Sequence, residues 1–138
     1  MKPIIRAADL CQRVAIPQAR HSQWVNKGLC RRIGKDGAAR GDVVELAVAT
    51  LLMDALKDIE KARRAMAQLR DRFGHAAWPD DLAIVWDEQL EFARWAGTDA
   101  EIGRLTRHGR PTRVISAGRT VSAILESYRQ LDHDRAAP

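Results

Sequence analysis

Residues 7–29 read AADLCQRVAIPQARHSQWVNKGL, and their apolar spacing predicts two short helices joined by a tight turn. Leu10 and Val14 lie four residues apart on one face of the first helix. Pro17 has a fixed φ that suits the first turn of a second helix. The stretch therefore predicts a helix-turn-helix.

The second helix has one side suited to packing and one suited to solvent. Successive residues turn by about 100°. The packing side carries His21, Trp24, Val25 and Gly28. The opposite side carries Ala19, Ser22, Gln23 and Asn26. Asn and Gln can pair with adenine, and Ser can bond to either kind of base edge. This side suits the major groove of DNA; an ordinary solvated helix face is the alternative.

Basic residues are concentrated in the first part of the chain. The 138 residues have a net charge of +5. Residues 1–41 contain nine Lys or Arg against two Asp or Glu, whereas residues 75–101 contain one against seven. An anionic partner is therefore expected at the N-terminal part.

A basic segment, residues 29–41, follows the second helix. Residues 29–33 (LCRRI) predict a short strand, and residues 34–41 (GKDGAARG) predict a turn-rich loop. Its cations are Arg31, Arg32, Lys35 and Arg40. Such a wing could reach phosphates or a minor groove, and a solvated basic loop is the alternative.

These features together resemble the N-terminal domain of MerR-type winged helix-turn-helix regulators. The family pattern runs E-L-A, G-V-S, T-L-R-Y-Y-E and G-L, with D-L/V opening the helix after the wing. The corresponding residues are 9–11 (DLC), 15–17 (AIP), 20–25 (RHSQWV), 28–29 (GL) and 41–46 (GDVVEL). The resemblance covers about residues 6–56 and implies binding of double-stranded DNA. Excisionases and phage-type repressors share this architecture.

The recognition helix departs from the family pattern at five positions. Ala19 and Ser22 stand where the family carries arginines, Gln23 and Trp24 replace paired tyrosines, and His21 replaces a buried leucine. The family's sequence preference is therefore not carried over.

A long helix is predicted from Asp42, as N-cap, to Phe73. Its apolar stripe is Val44, Val48, Leu51, Ala55, Ile59, Ala62, Met66, Leu69 and Phe73, and no Gly or Pro interrupts it before Gly74. The resemblance implies a dimerisation helix, so residues 57–74 are expected to continue the helix and pair with a second copy. The alternative is that the stripe packs on the chain's own C-terminal part.

The rest of the chain predicts a small α+β unit, residues 82–138, after a linker at 75–81. Its order is β-β-α-β-α: strands at 82–86 and 90–95, a helix opened by the Thr98–Glu101 capping-box spacing and ending at Gly109, a strand at 111–116 and a helix at 120–131. A helix from Asp87 onward is an alternative. An effector, oligomer contacts or a protein partner could occupy this unit.

Enzyme and membrane functions find no support in the sequence. A Walker loop, a zinc-protease helix, a GxSxG elbow and a paired CxxC are all absent. No apolar run reaches membrane-spanning length, so a cytoplasmic location is expected. Cys11 and Cys30 are interpreted as buried structural thiols, without metal or cofactor, and the carboxylates of Asp87, Glu88 and Glu91 as solvated.

The sequence thus predicts an α+β protein: a winged helix-turn-helix (1–56), a long connecting helix and the small C-terminal unit. The expected function is specific binding of double-stranded DNA as a homodimer, through the long helix or the C-terminal unit, in transcriptional regulation. An excisionase-like recombination factor, or a module that docks an acidic protein, is the alternative. Gln23 and Asn26 are expected to read bases while Trp24 packs behind them. The predicted DNA-contacting residues are Gln18, Arg20, Ser22, Gln23, Asn26, Lys27, Arg31, Arg32, Lys35 and Arg40.

Overall fold

The computed structural model describes residues 5–74, 83–118, 120–126 and 129. Its elements are α1 (Ala7–Arg13), α2 (Gln18–Asn26), α3 (Arg40–Leu56), α4 (Ile59–Phe73), β1 (Ala83–Asp87), β2 (Phe92–Ala96), α5 (Asp99–Thr106) and β3 (Thr112–Ser116). A last helix, α6, includes residues 118, 120–126 and 129. The predicted α+β class is confirmed.

The first two helices form where the sequence places them. Ala15, with φ of 58°, turns the chain sharply between α1 and α2. Pro17 is the N-cap of α2, with φ of −64°. The Ile16 amide donates to the Cys11 carbonyl at 3.0 Å, which closes the turn onto α1. This turn brings α2 back against α1.

The predicted continuous helix of residues 42–73 is wrong, because it breaks at Lys57. Lys57 adopts φ of 54°, in the left-handed region. Asp58 then caps α4: its carboxylate accepts from the Glu60 and Lys61 amides at 2.9 and 3.1 Å. An aspartate that satisfies free amides at a helix start is sufficient to begin a new helix without glycine or proline.

The start of α3 also differs from the prediction. Ala39 is its N-cap, and Asp42 lies in the first turn, where its carboxylate accepts from the Ala39 amide at 2.8 Å. Asp42 thus stabilises the helix start from inside the helix rather than as the N-cap.

The strand predicted at residues 29–33 does not form. The Leu29 amide donates to the Trp24 carbonyl at 2.9 Å, as part of the end of α2. The Leu29 carbonyl accepts from the Arg70 guanidinium at 3.1 Å. Because these groups are bonded to a helix end and a side chain, they do not pair with a strand. The basic segment is irregular up to Arg40, where α3 begins.

The predicted order β-β-α-β-α of the C-terminal part is confirmed. The three strands form an antiparallel sheet in the order β2-β1-β3, with Ile84 opposite both Trp95 and Ile115. Thr98 caps α5 by accepting from the Glu101 amide at 3.2 Å. The helix ends at Thr106 rather than at Gly109. The predicted linker at 75–81 lies outside the described residues, as does most of residues 127–131 of the predicted last helix.

One face of the sheet packs on α4 and α3, and the other packs on α5. The apolar stripe of α4 is buried within the chain: Ala62, Ala65, Met66 and Leu69. It packs against α3 and β2. This is the alternative given above, in which the stripe packs on the chain's own C-terminal part rather than on a second copy. One buried cluster includes both Leu10 of α1 and Trp86 of β1, so the α1–α2 pair and the sheet share a core.

Within the described residues, no helix combines the length and apolar character required to cross a membrane.

Candidate nucleic-acid interface

The two sides of α2 have the exposures that the sequence predicts. His21 and Trp24 are buried, and Val25 is half-buried. The exposed side carries all the predicted DNA-contacting residues of the helix and its C-cap: Gln18, Arg20, Ser22, Gln23, Asn26 and Lys27. A polar strip therefore faces outward over the length of α2.

Gly28 is exposed rather than packed, because it ends α2. Its φ of 80° lies in the left-handed region that glycine adopts without strain. The Gly28 amide donates to the Val25 carbonyl at 3.0 Å, and the Leu29 amide to that of Trp24 at 2.9 Å. This pair of bonds is the Schellman ending, and it sets the direction in which the basic segment leaves the helix.

The structure brings part of α2 and the basic segment together around one depression. Ser22 and Asn26 of α2 line it together with Arg32. Its volume is about 330 Å³, and His21 and Ile33 contribute to its lining. A hydroxyl, an amide and a guanidinium are hydrogen-bonding groups suited to base edges and phosphates.

Gln23 lies at the other margin of the exposed strip. Together with Arg20 it borders a second depression, of about 750 Å³, between α2 and the end of α3. Asp54 and Lys57 border the same depression. The two residues predicted to read bases, Gln23 and Asn26, therefore share the exposed strip but border different depressions.

Arg31, predicted to hold a phosphate, forms an ion pair within the chain. Its Nε lies 3.2 Å from Oε2 of Glu45, whose side chain is completely buried. The Arg31 side chain is 50% exposed, so one edge of its guanidinium still reaches solvent. The residue fastens the basic segment to α3, which the sequence analysis missed.

The Glu45 carboxylate also binds Arg70 of α4, whose Nε donates to Oε1 at 2.7 Å and whose second nitrogen contacts the same oxygen. Arg70 further donates to the Gly28 and Leu29 carbonyls, at 3.3 and 3.1 Å. These carbonyls end α2. The buried ion pair therefore connects the predicted recognition helix to both α3 and α4.

The other two cations of the basic segment differ in setting. Lys35 is exposed in the loop. Arg40 is half-buried in the first turn of α3, so it is a helix residue rather than a loop residue. The Ala38 amide donates to the Ile5 carbonyl at 2.7 Å and ties the segment to the chain that precedes α1.

Both cysteines are buried thiols. Burial raises the pKa of Cys11, and burial together with the Glu45 carboxylate raises the pKa of Cys30 to about 12. Both thiols are therefore protonated near neutral pH. The described residues hold no cluster of three His, Cys, Asp or Glu arranged for a metal ion.

The carboxylates at the end of β1 and in the turn that follows are paired, although the sequence analysis interpreted them as solvated. Asp87 is buried; it accepts from the Leu90 and Gln89 amides at 2.9 and 3.0 Å and from Arg110 Nε at 2.9 Å. These bonds lower the pKa of Asp87. Glu88 pairs with Arg113 and Lys61, and Glu91 pairs with Arg64. This carboxylate group therefore holds the β1–β2 turn against α4 and β3.

Comparison of the chain with family models, with curated proteins and with solved structures gives no match. The resemblance to MerR-type regulators stays a prediction from the sequence.

Proposed function

We propose that this chain binds double-stranded DNA in a sequence-specific manner, as a bacterial or phage transcriptional regulator in the cytoplasm. The observation that carries the proposal is the depression that Ser22, Asn26 and Arg32 share at the margin of the exposed side of α2. It combines groups that can bond to base edges with a cation, in the part of the chain where basic residues exceed acidic ones by nine to two, residues 1–41.

In this proposal α2 lies in the major groove with its polar strip against the bases. Asn26 reads a base edge, and Arg32 holds a flanking phosphate. Arg20, Lys27 and Lys35 contribute further phosphate contacts, since all three are exposed. Arg31 contributes through its exposed edge, while its Nε stays on Glu45.

The experiment is fluorescence anisotropy of the full chain with its own upstream DNA and with a shuffled duplex, each titrated across salt. The proposal expects tighter binding to the upstream DNA and a steep salt dependence for both duplexes. Equal affinity for the two duplexes would contradict specific recognition. Absence of binding to both would favour an acidic protein partner for the same basic surface.

Single variants separate base contacts from phosphate contacts. Asn26→Ala should reduce the preference for the upstream site by about 1–3 kcal/mol and leave the affinity for shuffled DNA nearly unchanged. Arg32→Ala should weaken both complexes and reduce the salt slope by about one. Gln23→Ala shows whether the other margin of the strip takes part in base reading. Arg129→Ala is the matched control, because this exposed arginine pairs with Glu126 on α6.

A homodimer remains part of the proposal, with the C-terminal unit rather than the α4 stripe as its predicted contact. The α4 stripe packs within the chain and is buried. Sedimentation velocity across protein concentrations, with and without DNA, measures the stoichiometry directly. A single copy on a site without repeated half-sites would remove the dimer from the proposal.

A further inference from the structure

The free edge of β2 borders a cleft that the proposed DNA surface does not use. β2 is an outer strand of the sheet, since the order is β2-β1-β3. The cleft, of about 490 Å³, lies between α4 and α5 and is lined by Gln68, Arg72, Arg94, Trp95, Glu101 and Arg104 among others. Volumes of this order are typical of ligand sites.

Gln68 covers one part of the strand edge. Its Oε1 accepts from the Ala93 amide at 2.6 Å, and its Nε2 donates to the Glu91 carbonyl at 3.1 Å. The side-chain amide thus replaces the peptide group of a neighbouring strand. Edges that are covered in this way do not add further strands at that position.

The edge beyond Gln68 is open. The Ala93 amide points away from β1, because Gln68 binds it. Antiparallel strands alternate the direction of their backbone groups, so the amide and carbonyl of Trp95 also point outward. Among the hydrogen bonds of the described residues, neither of these Trp95 groups has a partner. The Trp95 amide is therefore available as a donor and the Trp95 carbonyl as an acceptor at the cleft, in the positions that would pair with a neighbouring strand.

Three guanidinium groups surround this open edge. Arg72 and Arg94 rest over aromatic rings, Arg72 at 6.0 Å from the Trp95 ring and Arg94 at 5.5 Å from the Phe92 ring. Arg104 approaches from α5. In the described part of the chain none of the three forms an ion pair, whereas Arg64, Arg70 and Arg113 all do. Against them the cleft has one carboxylate, that of Glu101.

We propose that this cleft binds an acidic peptide segment in extended conformation, as an added strand on β2. The peptide backbone pairs with Trp95, and its carboxylates meet Arg72, Arg94 and Arg104. Addition of a strand takes its affinity from the backbone bonds, and the side chains next to the edge determine which sequence is preferred. The outward amide and carbonyl of Trp95 match the backbone of an extended peptide, whereas a sugar-phosphate backbone has no amide to donate to that carbonyl.

The test uses the full chain and a short fluorescein-labelled peptide of alternating glutamate and valine, followed by anisotropy. Arg104→Glu should raise the Kd of this peptide at least about tenfold, which is about 1.4 kcal/mol. Arg107→Glu is the matched control: it makes the same charge change at the end of α5, on an exposed residue that does not line the cleft. Arg72→Glu provides a second variant from the opposite wall, and far-UV circular dichroism checks the fold of each.

A second probe tests the strand pairing itself. The same peptide with alternate backbone amides methylated keeps its charges but loses the donors toward β2, and its Kd should also be at least about tenfold higher. Absence of saturable binding to the unmodified chain, or equal effects of Arg104→Glu and Arg107→Glu, would overturn the proposal. Equal binding of the methylated probe would overturn strand addition. Displacement of the peptide by a random duplex would overturn the peptide assignment in favour of nucleic acid.

Discussion

At the scale of single residues, Glu45 of α3 connects three parts of the chain. Its side chain is fully buried and contacts Arg31 and Arg70, which lie in the basic segment and in α4. A buried carboxylate is stable only when its charge is paired and its oxygens are hydrogen-bonded, as they are here. The loss of this one side chain would leave Arg70 without its partner beside the end of α2.

Glu45→Ala is expected to lower the free energy of unfolding by about 3–5 kcal/mol, because it leaves a partly buried guanidinium unpaired. Urea denaturation followed by circular dichroism measures the change. Glu60→Ala is the matched control, since Glu60 forms an exposed ion pair with Arg63 at 3.0 Å. This variant should lower the free energy of unfolding by at most about 1 kcal/mol. If Glu45→Ala lowers the free energy of unfolding no more than the control does, the buried ion pair does not contribute to stability.

His21 makes stability depend on pH. It is buried on the packing side of α2, and burial lowers its pKa, while the nearby Asp42 carboxylate partly opposes the shift. The folded state therefore favours the neutral imidazole. Its contribution to stability is complete above the unfolded pKa of about 6.5 and is lost as the pH falls through the lower folded pKa.

His21→Leu should remove this dependence. In the unmodified chain, one titrating group can lower the free energy of unfolding by at most about 1.4 kcal/mol for each pH unit of acidification. The measurement is the difference in unfolding free energy between the two proteins from neutral to acidic pH, which cancels the groups that they share. A difference that stays constant with pH would mean that the pKa of His21 is the same in the folded and unfolded states.

Periodicity predicted the sides of α2 but not the setting of Glu45. A step of about 100° per residue separates His21 and Trp24 from Ser22 and Asn26 without knowledge of any partner. A glutamate in a helix is usually assigned to the solvated side, since charged residues are seldom buried. A signal was present, because residues 43–49 are apolar except for Glu45, and all of them are buried. A helix that is apolar on all sides is a buried one, and a charge within it needs a partner.

At the scale of elements, the break between α3 and α4 folds α4 back on the chain. The apolar spacing continues through it, so hydrophobic periodicity alone predicts one helix. The break depends on Lys57 in the left-handed region and on the Asp58 cap, which are backbone and hydrogen-bonding effects. The strands of the C-terminal part were easier to predict, because short apolar runs there are separated by turn residues.

Substitutions of the two residues at the break, Lys57 and Asp58, test their roles through the free energy of unfolding. Asp58→Ala should lower the free energy of unfolding by about 1 kcal/mol, since two amides of α4 lose their acceptor. Lys57→Gly should raise it by about 0.5–1 kcal/mol, because glycine adopts this φ without a steric penalty. Thermal and urea unfolding give the two values. A destabilising Lys57→Gly would contradict the strain assigned to this position.

At the scale of the whole molecule, α4 connects the two surfaces proposed here. Arg70 on one side holds the carbonyls at the end of α2, and Gln68 and Arg72 on another side line the edge of β2. The core is continuous from α1 to the sheet. The predicted boundary at residue 56 would cut through this core, because Ala62, Met66 and Leu69 of α4 pack within the same buried cluster as α3.

The fragment 1–56 is therefore expected not to fold on its own. It would expose the apolar surface of α3 that α4 and β3 cover, and it would lose Arg70 from Glu45. Far-UV circular dichroism should show little cooperative unfolding in the fragment, whereas the full chain should unfold in one transition with coincident probes. Trp24 of α2 and Trp86 of β1 belong to different elements of this core, so single-tryptophan variants report on α2 and on the sheet separately. Two separate transitions, or a cooperatively folded fragment, would show that the α1–α2 pair is independent of the sheet and that α4 does not couple them.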